Sequence, residues 1–222
     1  MPRWTASSMG IECLHADDDL LVLHKPAGLL CVPGRGDDKQ DCLSARAEGA
    51  WPGALVVHRL DQATSGLVLM ARTAAAQRRL GDAFAARAVD KRYHAVVHGQ
   101  LRASDTPDGW GLIDLPLARD WPRRPMQKVD LAHGKPSQTR WRVLHHDAAA
   151  DTTRLELQPL TGRTHQLRVH LAAIGHPIVG DALYAPAGAL PSAPRLLLHA
   201  SALRFAHPAL GHDCHFSQPP DF

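Results

Sequence analysis

A chain of 222 residues with 45% hydrophobic and 5% aromatic content can bury a sizeable core, as one large domain or as two lobes about a cleft, which excludes a disordered protein. The net charge of +3 is too small to mark a polycation, and no stretch approaches the ~20 uninterrupted apolar residues of a membrane helix. Met1-Pro2-Arg3-Trp4 is not followed by the apolar core of a signal peptide, so a cytoplasmic location without a membrane partner is expected.

Cys13, Cys31, Cys42 and Cys214 lack the Cys-x-x-Cys spacing of a thiolate metal site or a disulfide framework, and read as packing residues. Of the fifteen histidines, only the group in His212-Asp213-Cys214-His215 invites a metal assignment. It has no second ligand pair at the expected spacing, so no metal is expected.

In chain order, Leu20 to Leu23 predicts a strand ending at Lys25-Pro26-Ala27-Gly28, and Val32 to Gly36 a glycine-rich loop. That loop has neither the Gly-Lys-Ser/Thr ending nor the three-glycine spacing of a nucleotide site. Leu55-Val56-Val57 and Leu67-Val68-Leu69-Met70 read as buried strands on either side of His58-Arg59-Leu60-Asp61-Gln62-Ala63-Thr64-Ser65-Gly66. Thr73 to Arg87 predicts a helix with Ala76, Leu80, Ala83 and Phe84 on one face. Strands are expected at Arg92 to Val97, at Leu112 to Leu117 after a turn-rich stretch, at Thr139 to Leu144, at Arg154 to Leu157 and at Leu196 to Leu203. Arg163 to Ile174 predicts a helix ended by Gly175, with Leu167 and Leu171 inward and His165 and Arg168 on another face. Strands outnumber helices without βαβ alternation, so the fold class is α+β.

Three segments carry candidate chemistry. Asp61 follows a His-Arg pair read as cationic and precedes a turn of small residues. Between two strands, such a carboxylate suits a nucleophile or general base, and equally a turn former bonding its own backbone. Arg119 to Arg142 holds seven basic residues against two acidic ones, an excess greater than that of the whole chain, interleaved with Trp121, Pro122, Pro125 and Gln127. This suits a loop that grips phosphates and stacks on bases, or a solvated basic loop beside a strand. Arg168 near a helix start opposes the helix macrodipole, which suits a partly buried carboxylate beside it or a surface helix with solvated Arg and His.

Taken together in this order, Lys25-Pro26-Ala27-Gly28-Leu29, His58 to Gly66, Lys91-Arg92-Tyr93, Gly162 to His170 and Leu197-Leu198-His199-Ala200 resemble the RluA family of pseudouridine synthases, from about Leu20 to the C-terminus. The resemblance implies the family's fold, a mixed and mainly antiparallel sheet with flanking helices and a central RNA-binding cleft. It also implies isomerisation of uridine to pseudouridine without a cofactor or metal. Residues 1–19 would be an N-terminal extension and 20–222 the catalytic domain, without an S4-type module. Asp120 to Val129 and Gly134 to Thr139 narrow the likeness to the branch acting on both a tRNA anticodon stem-loop and 23S rRNA, so the expected partners are tRNA and 23S rRNA, bound by a monomer.

By the same resemblance Asp61 is the essential carboxylate, as nucleophile or as base toward a ribose proton. Arg168 pairs with it, Tyr93 stacks on the uracil, Leu198 packs against it, and Arg59 fills the gap left by the extruded nucleotide. Arg123, Arg124 and Lys128 would hold the RNA backbone. Three alternatives stand beside this: a family member acting on another uridine, a non-catalytic RNA-binding protein on the same scaffold, and a metal-dependent hydrolase using the histidines.

Overall fold

The computed structural model describes residues 10–185 and 193–222. In chain order it contains β1 (Glu12–Ala16), β2 (Leu20–Lys25), α1 (Leu43–Ala50), β3 (Leu55–Val56), β4 (Ser65–Ala71), α2 (Ala74–Ala85) and β5 (Asp90–His98). These are followed by β6 (Gly111–Asp114), β7 (Leu117–Arg119), β8 (Gln127–Val129), β9 (Gln138–Asp147), β10 (Thr152–Pro159), α3 (Gln166–Ala173), β11 (Leu198–Ala206) and β12 (Asp213–Ser217). The elements fall into two compact units, Met1–Lys91 with Ala200–Asp221, and Arg92–His199. Among the described residues, no helix is long and apolar enough to cross a membrane.

In the first unit the strand order is β1-β2-β4-β11, with β12 against β11 and β3 against the end of β4. β2 and β4 run antiparallel from Leu20 opposite Ala71 to Lys25 opposite Gly66. Every residue of β4 is buried, which explains its unbroken apolar run rather than an alternation. Leu20, Val22, Leu67, Leu69, Leu203 and Phe205 pack with Ala76 and Leu80 of α2 into one core. Thr73 caps α2, its Oγ1 accepting the Ala76 N–H at 3.0 Å. β3 is shorter and less buried than the Leu55–Val57 strand expected. β1 lies within the stretch taken as an N-terminal extension and pairs with β2; residues 1–9 of that stretch lie outside the described residues.

The β1–β2 turn is tied by Asp17. Its Oδ1 accepts the Asp19 and Leu20 N–H groups at 2.8 and 2.9 Å. Its Oδ2 lies 2.7 Å from His15 Nε2 and 3.1 Å from His207 Nε2. His207 Nδ1 accepts the Ala209 and Leu210 N–H groups, which puts the ring proton on Nε2, facing the carboxylate. Asp17, Asp19 and His207 are close enough together to hold a metal ion, but that proton makes the group a hydrogen-bonded turn. Burial raises the Asp17 pKa, yet the hydrogen bonds from His15, Asp19, Leu20 and His207 outweigh it and bring it down to about 2. The folded state therefore holds this carboxylate ionised more tightly than the unfolded chain does. The resulting stability is fully present above about pH 4 and is lost as pH falls toward 2. With the side chain about a third exposed, roughly 1–2 kcal/mol is at stake. Urea unfolding at pH 5 and pH 2 should show this loss and Asp17→Asn should remove that share of it; an unchanged acid dependence in the variant refutes the assignment.

In the second unit β5-β10-β9-β6 form an antiparallel sheet, and β7 and β8 a separate hairpin. Pro116 interrupts the single strand expected over Leu112–Leu117, giving β6 and β7 instead. α3 starts three residues later than expected. His165 takes a left-handed conformation (φ 54°) at its N-cap, and Gly175 (φ 85°) follows its end.

All residues from Gln166 to Leu171 are buried, so α3 is not the two-faced helix its periodicity suggested. Hydrogen bonds make this possible. Gln166 Nε2 donates to the Gln138 carbonyl and to Thr139 Oγ1, and its Oε1 accepts from Thr161 Oγ1 and the Arg163 N–H. His170 Nε2 donates to the Leu115 carbonyl at 2.9 Å, so its Nδ1 accepts from Thr139 Oγ1. Burial holds the His170 pKa below its ordinary value and so favours the neutral ring this bonding needs.

Candidate active site

Asp61 and Arg59 lie in the first unit, on the loop between β3 and β4; Tyr93, Arg168, Leu198, Arg123, Arg124 and Lys128 lie in the second. The Asp61 carbonyl accepts the Thr64 N–H at 3.1 Å, so Asp61 does open a tight turn, and Thr64 and Ser65 behind it are buried. Arg59 is exposed. At the far side of the turn, Gly66 has φ 117°, and a Cβ there would sit 2.3 Å from the Ala200 carbonyl oxygen, so only glycine fits.

The loop is also held from the N-terminal side. Lys25 is fully buried, and its ammonium donates to the carbonyls of Pro26, Leu29 and Gln62 at 2.9, 2.8 and 3.0 Å. The Gly28 N–H donates to the Gln62 carbonyl, and Gln62 Nε2 returns a bond to the Gly28 carbonyl. The residue next to Asp61 is thus pinned to Lys25-Pro26-Ala27-Gly28-Leu29 by three hydrogen bonds. Burial lowers the Lys25 pKa to about 8, while the nearby Cys31 thiol and the Asp61 carboxylate favour the charged form, so the ammonium persists at neutral pH. Nothing in sequence spacing marks Lys25 as a clamp. A lysine between an apolar strand and Pro-Ala-Gly is the one available signal, since burial of its charge requires several acceptors.

His58 corrects the reading of a cationic pair. Its Nε2 accepts the Leu69 N–H at 3.0 Å and its ring stacks on Phe84 at 4.5 Å. Burial, reinforced by the charge of Lys91, lowers its pKa to about 3, so the ring is neutral and serves as an anchor between loop and strand.

In the second unit the buried carboxylate that Arg168 holds is that of Asp181, where the resemblance implied Asp61. Nε and Nη2 of Arg168 donate to Asp181 Oδ2 and Oδ1 at 2.8 and 2.6 Å. Asp181 Oδ1 also accepts the Leu183 and Tyr184 N–H groups. Burial pushes the Asp181 pKa up, but these bonds and the guanidinium charge leave it below the ordinary carboxylate range. The Arg168 guanidinium lies 5.1 Å from the centre of the Tyr184 ring, and the Tyr184 hydroxyl accepts the Gln127 N–H and bonds His165 Nδ1. Tyr93, half-buried, stands opposite Leu157 in the β5–β10 register, and Leu198 is buried at the start of β11.

The basic window is an ordered hairpin. Arg123 pairs with the buried Asp120, Lys128 with Asp130, and the Arg124 guanidinium lies 4.1 Å from the centre of the exposed Trp121 ring.

The family model for RNA pseudouridylate synthases matches residues 19–173, which include the Asp61 turn, Tyr93 and α3. The chain belongs to the RNA pseudouridylate synthase family. Its sequence is 48% identical over 209 residues to the dual-specificity RNA pseudouridine synthase RluA of Escherichia coli K12, covering 94% of this chain and 93% of that protein. The RluA of Yersinia pestis is 46% identical over 94% of this chain and 98% of its own length. Among solved structures, human RNA pseudouridylate synthase domain containing 1 superposes with a TM-score of 0.80 at 30% identity, over 98% of this chain and 86% of that one. A pseudouridylate synthase is an isomerase, and that is the class of enzyme to which this chain belongs.

Proposed function

We propose that this pseudouridine synthase acts on two RNA classes, a tRNA anticodon stem-loop and a 23S rRNA loop, with Asp61 as its essential carboxylate. The near-full-length identity to enzymes described as dual-specificity carries the first half of the reading. The Lys25–Gln62 clamp beside Asp61 supports the second. In the reaction the N1–C1′ bond of uridine breaks, uracil turns, and a C5–C1′ bond forms. C5 loses its proton and N1 gains one, so no redox partner is needed.

In this proposal the target nucleotide leaves its stack, Arg59 takes the space it vacates, Tyr93 stacks on the uracil and Leu198 packs against it. Arg168, preorganised by Asp181, supplies the positive charge that favours an ionised acid at the reacting nucleotide. Arg123, Arg124 and Lys128 contact RNA phosphates. The enzyme works as a cytoplasmic monomer. Pseudouridine mapping of total RNA from a strain lacking the protein tests the substrates: both a tRNA and a 23S rRNA position should revert to uridine, and loss at one class alone refutes dual specificity. Neutralising Arg123, Arg124 and Lys128 together should reduce the slope of log affinity against log salt by about 2. An unchanged slope would remove the hairpin from the interface.

A further inference from the structure

The second unit contains a cleft of about 530 Å³ that includes none of the residues assigned above to the reaction. Arg119 and Trp121 of the hairpin, Lys135, and Arg163 before α3 line it, with Leu117 and Ala118 among its apolar walls. No carboxylate lines it, so it offers binding rather than acid–base chemistry. Arg123, Lys128, Arg140, Arg142 and Arg168 of this unit each hold a carboxylate. Arg119, Lys135 and Arg163 are exposed and, among the described residues, form no ion pair. Three uncompensated cations therefore converge on one concavity. Trp121 is 58% exposed, with the guanidinium groups of Arg119 and Arg124 5.5 and 4.1 Å from its ring centre.

We infer that this cleft takes a second unpaired nucleotide of the substrate RNA, distinct from the target uridine. Its phosphate lies among Arg119, Lys135 and Arg163, and its base lies against Trp121 and the Leu117–Ala118 wall. The chemistry matches in each part. Guanidinium and ammonium groups select phosphate, indole and guanidinium planes stack on any base, and the volume is that of a small-ligand site. A duplex is too wide for such a cleft, and a residue in a loop or bulge is not. Holding a neighbouring nucleotide would also keep the RNA loop open while the target is extruded. This inference rests on the RNA-modifying reading of the protein.

The test uses the full chain carrying Asp61→Asn, so that affinity is read without turnover, and a substrate stem-loop with an abasic residue placed in turn at every loop position except the target. One position should weaken binding about tenfold. Trp121→Ala should weaken binding to intact RNA by a similar factor and abolish the effect of that one abasic residue, and Trp121→Phe should restore both. Trp121 is exposed, so these changes leave the fold intact, which circular dichroism checks. Additive effects of Trp121→Ala and every abasic substitution overturn the inference, as does an RNA that does not bind at all. Wild-type protein that binds with this signature but forms no pseudouridine sinks the proposed reaction and leaves the cleft assignment standing.

Discussion

Asp61→Asn lowers the single-turnover rate of pseudouridine formation by roughly 10³-fold or more while RNA affinity stays within about tenfold. The amide is nearly isosteric and the turn bonds of this loop involve the Asp61 carbonyl, so the fold is unaffected. What disappears is the negative charge, which both candidate roles, nucleophile and base, require. Affinity is expected to rest mainly on phosphate contacts elsewhere. Release of tritium from RNA labelled at uracil C5 measures the rate, and filter binding the affinity. Full activity in the variant removes Asp61 from the chemistry; a parallel collapse of affinity reassigns it to binding.

The second large effect is on stability. Asp181→Asn takes the bidentate carboxylate away from the buried Arg168 guanidinium, at a cost of about 3–5 kcal/mol. Both side chains are almost wholly excluded from water, so solvent does not screen the loss. Urea unfolding reads it directly, and a loss below about 1 kcal/mol shows that the pair is dispensable. Arg168→Met with Asp181→Leu separates structure from function: stability returns close to that of the wild type, because both charges go together, while pseudouridine formation stays abolished. Recovery of activity in that double variant would deny Arg168 a part in the reaction.

The elements that could be read from the chain are those with a local cause. The apolar run Leu67–Met70, the helix opened by Thr73 and the α+β class follow from periodicity and capping. α1 has no periodic signal in the sequence, because Leu43–Ala50 has only Leu43 and Ala47 buried, and its N-cap is Cys42, whose Sγ accepts the Ala45 N–H. β1 and β12 are short edge strands whose apolar residues are few. The start of α3 was misplaced because Gly162, Arg163 and Thr164 continue its polar pattern, while His165 turns left-handed before the helix begins.

Of the proposed site, motifs with fixed internal spacing nominate Asp61, Tyr93 and Arg168. They do not nominate the supports. Lys25 serves a carbonyl 37 positions away and Asp181 an arginine 13 positions back, and pairings of that kind leave no period in a sequence. The neutrality of His58 is hidden in the sequence for the same reason, since it depends on Leu69 and Phe84.

The Lys25 staple bears on how targets are chosen. In the proposed reaction, a carboxylate whose neighbour is stitched to a buried ammonium would leave most of the movement to the polynucleotide. Selectivity would then reside in how readily a given stem-loop surrenders its uridine, and the expected result is that hairpins stiffened by stronger stacking react more slowly even when the nucleotides around the target are identical.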